Sequence, residues 1–168
     1  VLAVMGGDVE SPAPRVVAND NRIPAGRLVR DTLHVDLVLQ LAEWYPEAED
    51  GPHVTVAAFS EAGKAPNIPA PLIRVRTGTV IVATVRNDLP DSTAHLIGLG
   101  THPLPVADTL HVTPGQAVTT TFVAGAPGTY LYRAVIGNDP DSREAEHETA
   151  GGPSWSIPWV GHRPTASS

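Results

Sequence analysis

The sequence predicts an all-β sandwich of about seven to nine short strands. Its 168 residues include 15 Gly and 17 Pro, and this density of turn-forming residues is typical of a chain with many short strands. Hydrophobic residues make up 42% of the chain, so it can bury a core and does not have the composition of a disordered chain. Apolar runs recur about every eight to twelve residues between turn signals, the spacing of a sandwich or barrel.

Four strands are predicted in the first half of the chain. They cover residues 32–41, 53–59, 72–76 and 79–87. The first alternates in part between apolar and polar residues, as a strand with one solvent-facing side does. The last is a continuous run rich in β-branched residues, which indicates a strand in the interior of a sheet.

Four more strands are predicted in the second half, before a less regular end. They cover residues 93–99, 109–112, 117–123 and 129–135. The acidic stretch 139–148 is expected to form at most one or two helical turns. Trp155 and Trp159 lie at even spacing in a run that is expected to close the sandwich, with partner anchoring as the alternative. Pro153 and Pro158 predict that this closing strand is short, on an edge or missing.

The predicted organisation is one domain with two loose ends. A flexible N-terminal segment is expected at 1–15, the domain at 16–160 and a flexible tail at 161–168. The apolar run 1–7 is interpreted as a frayed start, with the remnant of a signal peptide as the alternative. No segment is predicted to span a membrane.

Charge and composition exclude several classes of function. The formal net charge is −7, Lys64 is the only lysine and the arginines form no cluster, which argues against a nucleic-acid partner. The chain has no cysteine, so disulfides, thiolate zinc sites, iron–sulfur clusters and cysteine nucleophiles are excluded. No nucleophile elbow and no phosphate-binding glycine loop occurs, and no catalytic residue is predicted.

Residues 68–135 contain a fixed order of short motifs. They are Pro69-Ala70-Pro71-Leu72-Ile73-Arg74-Val75-Arg76-Thr77-Gly78, Val85-Arg86-Asn87-Asp88-Leu89, His95-Leu96-Ile97-Gly98-Leu99, Pro114-Gly115-Gln116 and Gly128-Thr129-Tyr130-Leu131-Tyr132-Arg133-Ala134-Val135. This order resembles the N-terminal domain of laccase-like multicopper oxidases. The resemblance implies a cupredoxin-like Greek-key sandwich, an oxidoreductase family and an extracellular or periplasmic location.

The copper ligands of that family are mostly replaced in this chain. In the family, two His-x-His pairs supply four imidazoles to a copper cluster, and these pairs correspond here to His95-x-Ile97 and Arg133-x-Val135. His95 is therefore the one metal-ligand position that is retained. The family's electron-entry copper needs a cysteine from another domain, and this chain has none. No cofactor is expected in this chain, with copper only if other domains or chains complete a site.

The remaining candidates have ordinary interpretations beside the functional ones. For His95 the alternative is a strand histidine that is packed or hydrogen-bonded. His102 and His111 are expected at the surface, whereas His34, His53 and His147 show no ligand spacing, and His162 is uninformative. Asp36 is expected on the same strand face as His34, and such a His/Asp pair is as often a surface hydrogen bond as a functional pair. The acidic stretch lacks the pattern of a calcium loop.

Two hypotheses of function follow from these residues. The first is a non-catalytic domain or subunit of a multicopper-oxidase-like protein, with a structural or assembly role and with other cupredoxin domains or identical subunits as partners. The second is a stand-alone, copper-free sandwich that binds or self-assembles through strand edges or through Trp155 and Trp159. An enzyme with its own active site has no supporting group of residues.

Overall fold

A computed structural model describes residues 12–101, 109–137 and 159–162, and these residues form strands and loops without a helix. The all-β prediction is confirmed. More strands are present than predicted because several contain only two or three residues. Within the described residues there is no helix long and apolar enough to cross a membrane.

Thirteen strands follow one another in the described residues. They are β1 (Val17–Ala18), β2 (Arg27–Val29), β3 (Thr32–Trp44), β4 (Val54–Glu61), β5 (Asn67–Ile68), β6 (Arg74–Arg76), β7 (Val80–Asn87), β8 (Ala94–Ile97), β9 (Thr109–Val112), β10 (Ala117–Val123), β11 (Thr129–Tyr130), β12 (Arg133–Ile136) and β13 (Trp159–His162). The predicted strands in 109–112 and 117–123 have the predicted limits, and the others shift by a few residues at their ends.

The strands form one large sheet and two small ones. The large sheet has the order β1-β5-β4-β3-β7-β10, with β2 also paired to β3. The small sheets have the orders β11-β13-β6 and β12-β8-β9. β11 and β12 lie in one run of chain, so the two small sheets adjoin there. Buried side chains of β6, β8 and β9 belong to the same core cluster as those of β3 and β7, so the small sheets form a second layer against the large sheet. The strand predicted to be interior is β7, which pairs with β3 on one side and β10 on the other.

The main core lies between these layers. Alternation along β7 buries Ile81, Ala83 and Val85, and alternation along the first half of β3 buries Leu33 and its alternate neighbours. The small sheets and the break between β11 and β12 supply the opposing side chains, which include Val75, Leu96, Val112 and Tyr132. Asn87 is fully buried at the end of β7, and both its backbone and its side chain are hydrogen-bonded. The motif Asn-x-Leu thus has a structural role, because Leu89 N donates to Asn87 Oδ1 over 3.0 Å.

A second, smaller core lies beside the end of β3. Ala42, Val56 and Ala58 are buried there, and Val16, Trp44 and Ile68 pack against them. The segment that contains β1 covers this cluster: Val16 N donates to Glu43 O, and Val17 N donates to Pro66 O. The end of β3, β4, β5 and this segment therefore form a closed ring of hydrogen-bonded strands.

The predicted strand at 129–135 is divided into β11 and β12. The backbone at Leu131 and Tyr132 crosses close to Gly98 instead of continuing the ladder, since a Cβ placed on Gly98 would lie 2.1 Å from the Leu131 carbonyl oxygen. Tyr132 is buried and donates its hydroxyl to the Pro71 carbonyl oxygen over 2.7 Å. Its ring meets Phe59 edge-on, with centroids 5.6 Å apart. The Tyr132 hydrogen bond therefore connects the segment between β11 and β12 to the segment that precedes β6.

Replacing Tyr132 with phenylalanine is expected to lower the free energy of unfolding by about 1–2 kcal/mol at neutral pH, because the buried Pro71 carbonyl loses its donor. Burial raises the pKa of Tyr132 well above its usual value. Above about pH 10 the unfolded chain ionises this tyrosine and binds fewer protons than the folded chain, so the wild type loses stability there. The cost of Tyr132→Phe should shrink as the pH rises from 9 to 11 in urea unfolding curves, and a constant cost would contradict it.

Candidate functional site

Strands β8 and β12 bring the four positions of the copper-ligand motifs together. His95 lies opposite Val135, and Ile97 lies opposite Arg133, in an antiparallel pair. Alternation along each strand directs all four side chains to the same face. His95 and Val135 are buried, Ile97 is half-buried and Arg133 is exposed. The sequence motifs thus identify positions that are neighbours in the fold.

Both ring nitrogens of His95 are already in hydrogen-bond contact. Its Nδ1 lies 2.6 Å from the Nδ1 of His111, which faces it across the β8–β9 pair. Its Nε2 lies 2.7 Å from the carbonyl oxygen of Gly137, just beyond β12. The two imidazole rings are nearly perpendicular, at 82°, with centroids 4.8 Å apart. His95 therefore connects three segments of chain.

The proton positions in this group follow from the acceptor at one end. A carbonyl oxygen can only accept, so His95 carries a proton on Nε2 and donates it to Gly137. A neutral His95 then has its lone pair on Nδ1, where it accepts the Nδ1 proton of His111. The lone pair that a metal ion would need is therefore engaged with His111.

The residues at these four positions do not fit a copper ion. Copper sites of this kind need several imidazoles around one ion, whereas Ile97 and Val135 have no donor atom and Arg133 has no lone pair to give. The nitrogens of His95 and His111 are at hydrogen-bond distance from each other. In the parts of the chain that the structure describes, no group of three or more His, Cys, Asp or Glu could hold a metal ion.

The other predicted candidates are scattered. His34 and Asp36 are both exposed on β3. His53 Nε2 lies 3.8 Å from Glu43 Oε1. His111 is exposed, as predicted, but its contact with His95 was missed because only the β8–β9 register reveals it. His102, His147, Trp155 and the acidic stretch 139–148 lie outside the described residues. Trp159 and His162 begin and end β13, which lies between β6 and β11.

A second polar group lies at the end of β3 and was not predicted. The Arg15 guanidinium carbon lies 3.9 Å from the centroid of the Tyr45 ring, and Arg15 also donates to the Glu49 carbonyl oxygen. Tyr45 donates its hydroxyl to Glu43 over 3.0 Å, and its ring centroid lies 5.0 Å from that of His53. The hydrogen bond to Glu43 raises the pKa of Tyr45, with smaller contributions from burial and the charge of Glu43, against the lowering effect of Arg15.

Comparison with known proteins gives matches of structure but none of sequence. No family model matches the chain, and no curated protein matches it. Among solved structures, a multicopper oxidase from Campylobacter jejuni matches 91% of this chain and 31% of its own length, with a TM-score of 0.60 and 17% identity. A multicopper oxidase from Aquifex aeolicus matches 90% and 29%, with a TM-score of 0.54 and 17% identity.

A different group of copper proteins matches as well. A copper nitrite reductase from Nitrosomonas europaea matches 81% of this chain and 43% of its own length, with a TM-score of 0.52 and 22% identity. The chain thus spans less than half the length of each of these three proteins. Identities this low establish the fold and nothing finer. The chain is therefore a cupredoxin-like β-sandwich, similar in fold to part of multicopper oxidases and copper nitrite reductases.

Proposed function

We propose that this chain is a non-catalytic cupredoxin-like domain or subunit of a multicopper-oxidase-like protein, with a structural or assembly role. The observation that carries the proposal is the register of β8 and β12. It collects the four motif positions on one face, yet three of them carry Ile97, Arg133 and Val135, which cannot bind copper. The arrangement of the motifs is kept while their ligand chemistry is lost.

The hydrogen bonds of His95 support a structural role for the remaining imidazole. A buried polar side chain is costly unless it is hydrogen-bonded, and both nitrogens of His95 have contacts, to His111 and to Gly137. The imidazole therefore connects β8 to β9 and to the chain just after β12. In this proposal, His95 stabilises the sheet and does not act as a metal ligand.

Replacing His95 with glutamine is expected to leave copper uptake unchanged and to lower the free energy of unfolding by about 1–3 kcal/mol, because His111 and the Gly137 carbonyl lose their partner. Equilibrium dialysis with Cu(II) and urea unfolding, on the wild type and His95→Gln, measure the two effects. His34→Gln, at an exposed histidine of β3, is the matched control for weak surface binding.

Tight copper binding that depends on His95 would contradict the proposal. If the wild type held about one tightly bound copper ion per chain, and His95→Gln lost it while His34→Gln kept it, then His95 would be a working ligand and the proposal would be wrong. A wild type that binds no more copper than either variant agrees with it.

The partners in this proposal are other cupredoxin domains or identical subunits. The chain spans 29–43% of the length of the copper proteins described above, which supports a role beside further domains. We propose an extracellular or periplasmic location on the same grounds of resemblance. Copper chemistry would then depend on domains that supply their own ligands.

The alternative is a stand-alone sandwich that self-assembles, and the edge strand β10 favours it. Within the described ranges β10 is in a sheet ladder with β7 alone, and Thr119, Thr121 and Val123 are exposed along it. An open strand edge can pair with a second copy. Sedimentation that shows only monomers at concentrations near the millimolar range would exclude this alternative.

A further inference from the structure

An open cleft of about 550 Å³ lies at the end of β3, beside β1 and β5. We refer to it as the β3-end cleft. It lies beside the smaller core and is remote in sequence from the motif positions on β8 and β12. Clefts of a few hundred Å³ are common positions for small-molecule ligands.

The inner part of this cleft is apolar. Val16, Trp44 and Ile68 line it, and the same three side chains pack against the smaller core, so their positions are fixed by tertiary packing. Ala18 and Ala48 also line the cleft and leave room because their side chains are short. An apolar group of a ligand that enters the cleft would therefore exclude water from a surface that is already formed, and this favours binding.

The rim of the cleft is acidic. Glu47 and Glu49 line it and are exposed, and Glu43 is the neighbour of Trp44 along β3. Among the described residues that line the cleft, Arg15 is the one cationic side chain. Its guanidinium is stacked on Tyr45 and donates to the Glu49 carbonyl oxygen, so part of its binding capacity is already used. The balance of charge favours a cation over an anion.

We propose that the β3-end cleft binds a small amphipathic organic cation, an apolar ring or short chain that carries an ammonium group. The apolar part lies against Val16, Trp44 and Ile68, and the ammonium group lies near the carboxylates of Glu47 and Glu49. Neither the apolar surface nor the acidic rim alone would select such a ligand, whereas the two together distinguish it from neutral and anionic molecules of the same shape.

Three probes of matched shape and different charge test this inference: 2-phenylethylamine, 2-phenylethanol and phenylacetate. With the full chain at pH 7 and low salt, NMR titration is expected to rank them amine, alcohol, acid in decreasing affinity. The amine should bind at least about fivefold more tightly than the acid. Phenylacetate binding as tightly as the amine, or none of the three binding below about 10 mM, would overturn the proposal.

Variants locate the site and separate local from general charge effects. Glu49→Gln and Glu47→Gln are each expected to weaken amine binding about two- to fivefold and to leave the alcohol unchanged. Asp31→Asn is the matched control, because it removes the same charge at the opposite end of β3, in the β2–β3 turn. Ala48→Trp should fill the cleft and abolish binding of all three probes. Equal effects of Asp31→Asn and Glu49→Gln, or unchanged binding in Ala48→Trp, would refute the assignment.

Discussion

Replacing Gly98 with alanine is expected to lower the free energy of unfolding by about 3–5 kcal/mol, because the new methyl group has no space and the backbone is strained. The Cβ would lie 2.1 Å from the Leu131 carbonyl oxygen and 2.8 Å from the Tyr132 Cα. Both are backbone atoms, so a rotamer change cannot relieve the contact. Gly98 also has a φ of +97°, a conformation that residues with a side chain rarely adopt.

Gly115→Ala is the matched control for this substitution. Gly115 has a φ of +76°, but no atom lies within 4 Å of its added Cβ, so only backbone strain contributes. Urea unfolding should show a cost of about 1–2 kcal/mol for Gly115→Ala, well below that of Gly98→Ala. Similar costs for the two variants would mean that the close approach between β8 and the β11–β12 break does not exist in solution.

Replacing Asn87 with alanine is expected to cost about 3–5 kcal/mol of unfolding free energy, because a fully buried side chain with three hydrogen bonds is lost. Its Nδ2 donates to the carbonyl oxygens of Ser92 and Val112 at 2.8 Å each, and its Oδ1 accepts from Leu89 N. Substitution would leave these buried groups without partners. Denaturant unfolding measures the cost directly.

Two further variants show which property of Asn87 matters. Asn87→Asp keeps the acceptor for Leu89 but loses both donors and buries a charge, so it should be at least as destabilising as alanine. Thr119→Ala removes an exposed hydrogen bond between the Oγ1 atoms of Thr119 and Thr84, 3.0 Å apart, and should cost less than about 1 kcal/mol. If Asn87→Ala were as mild as Thr119→Ala, the buried hydrogen bonds would contribute little.

The local pattern of the sequence was sufficient to predict the longer strands. The β-branched run of β7 and the alternation in β3 predict strands. A strand that is buried on one face alternates apolar and polar residues, and a strand that is buried on both faces is a continuous apolar run. The motifs around His95 and Arg133 also identified positions that the fold brings opposite each other. Each strand pattern, and each motif by itself, lies in a short run of neighbouring residues.

Features that depend on register could not be predicted in this way. The contact between His95 and His111 arises because residue 95 of β8 pairs with residue 111 of β9. No rule of sequence spacing predicts this pairing, because it depends on the register of the two strands. The division between β11 and β12 depends on the approach of Gly98, more than thirty residues earlier. The β3-end cleft depends on the return of the Arg15 segment to Glu43.

The position of β13 has a consequence for the order in which this protein can be completed during synthesis. β13 pairs in parallel with β6 and antiparallel with β11, so it is the strand that joins them. A nascent chain that ends before residue 159 contains both outer strands but not the one between them. Because a ribosome releases the chain from its N-terminus onward, the sheet of β6, β13 and β11 cannot form until β13 has left the exit tunnel. All strands of the large sheet leave the tunnel earlier, because the last of them in the chain is β10.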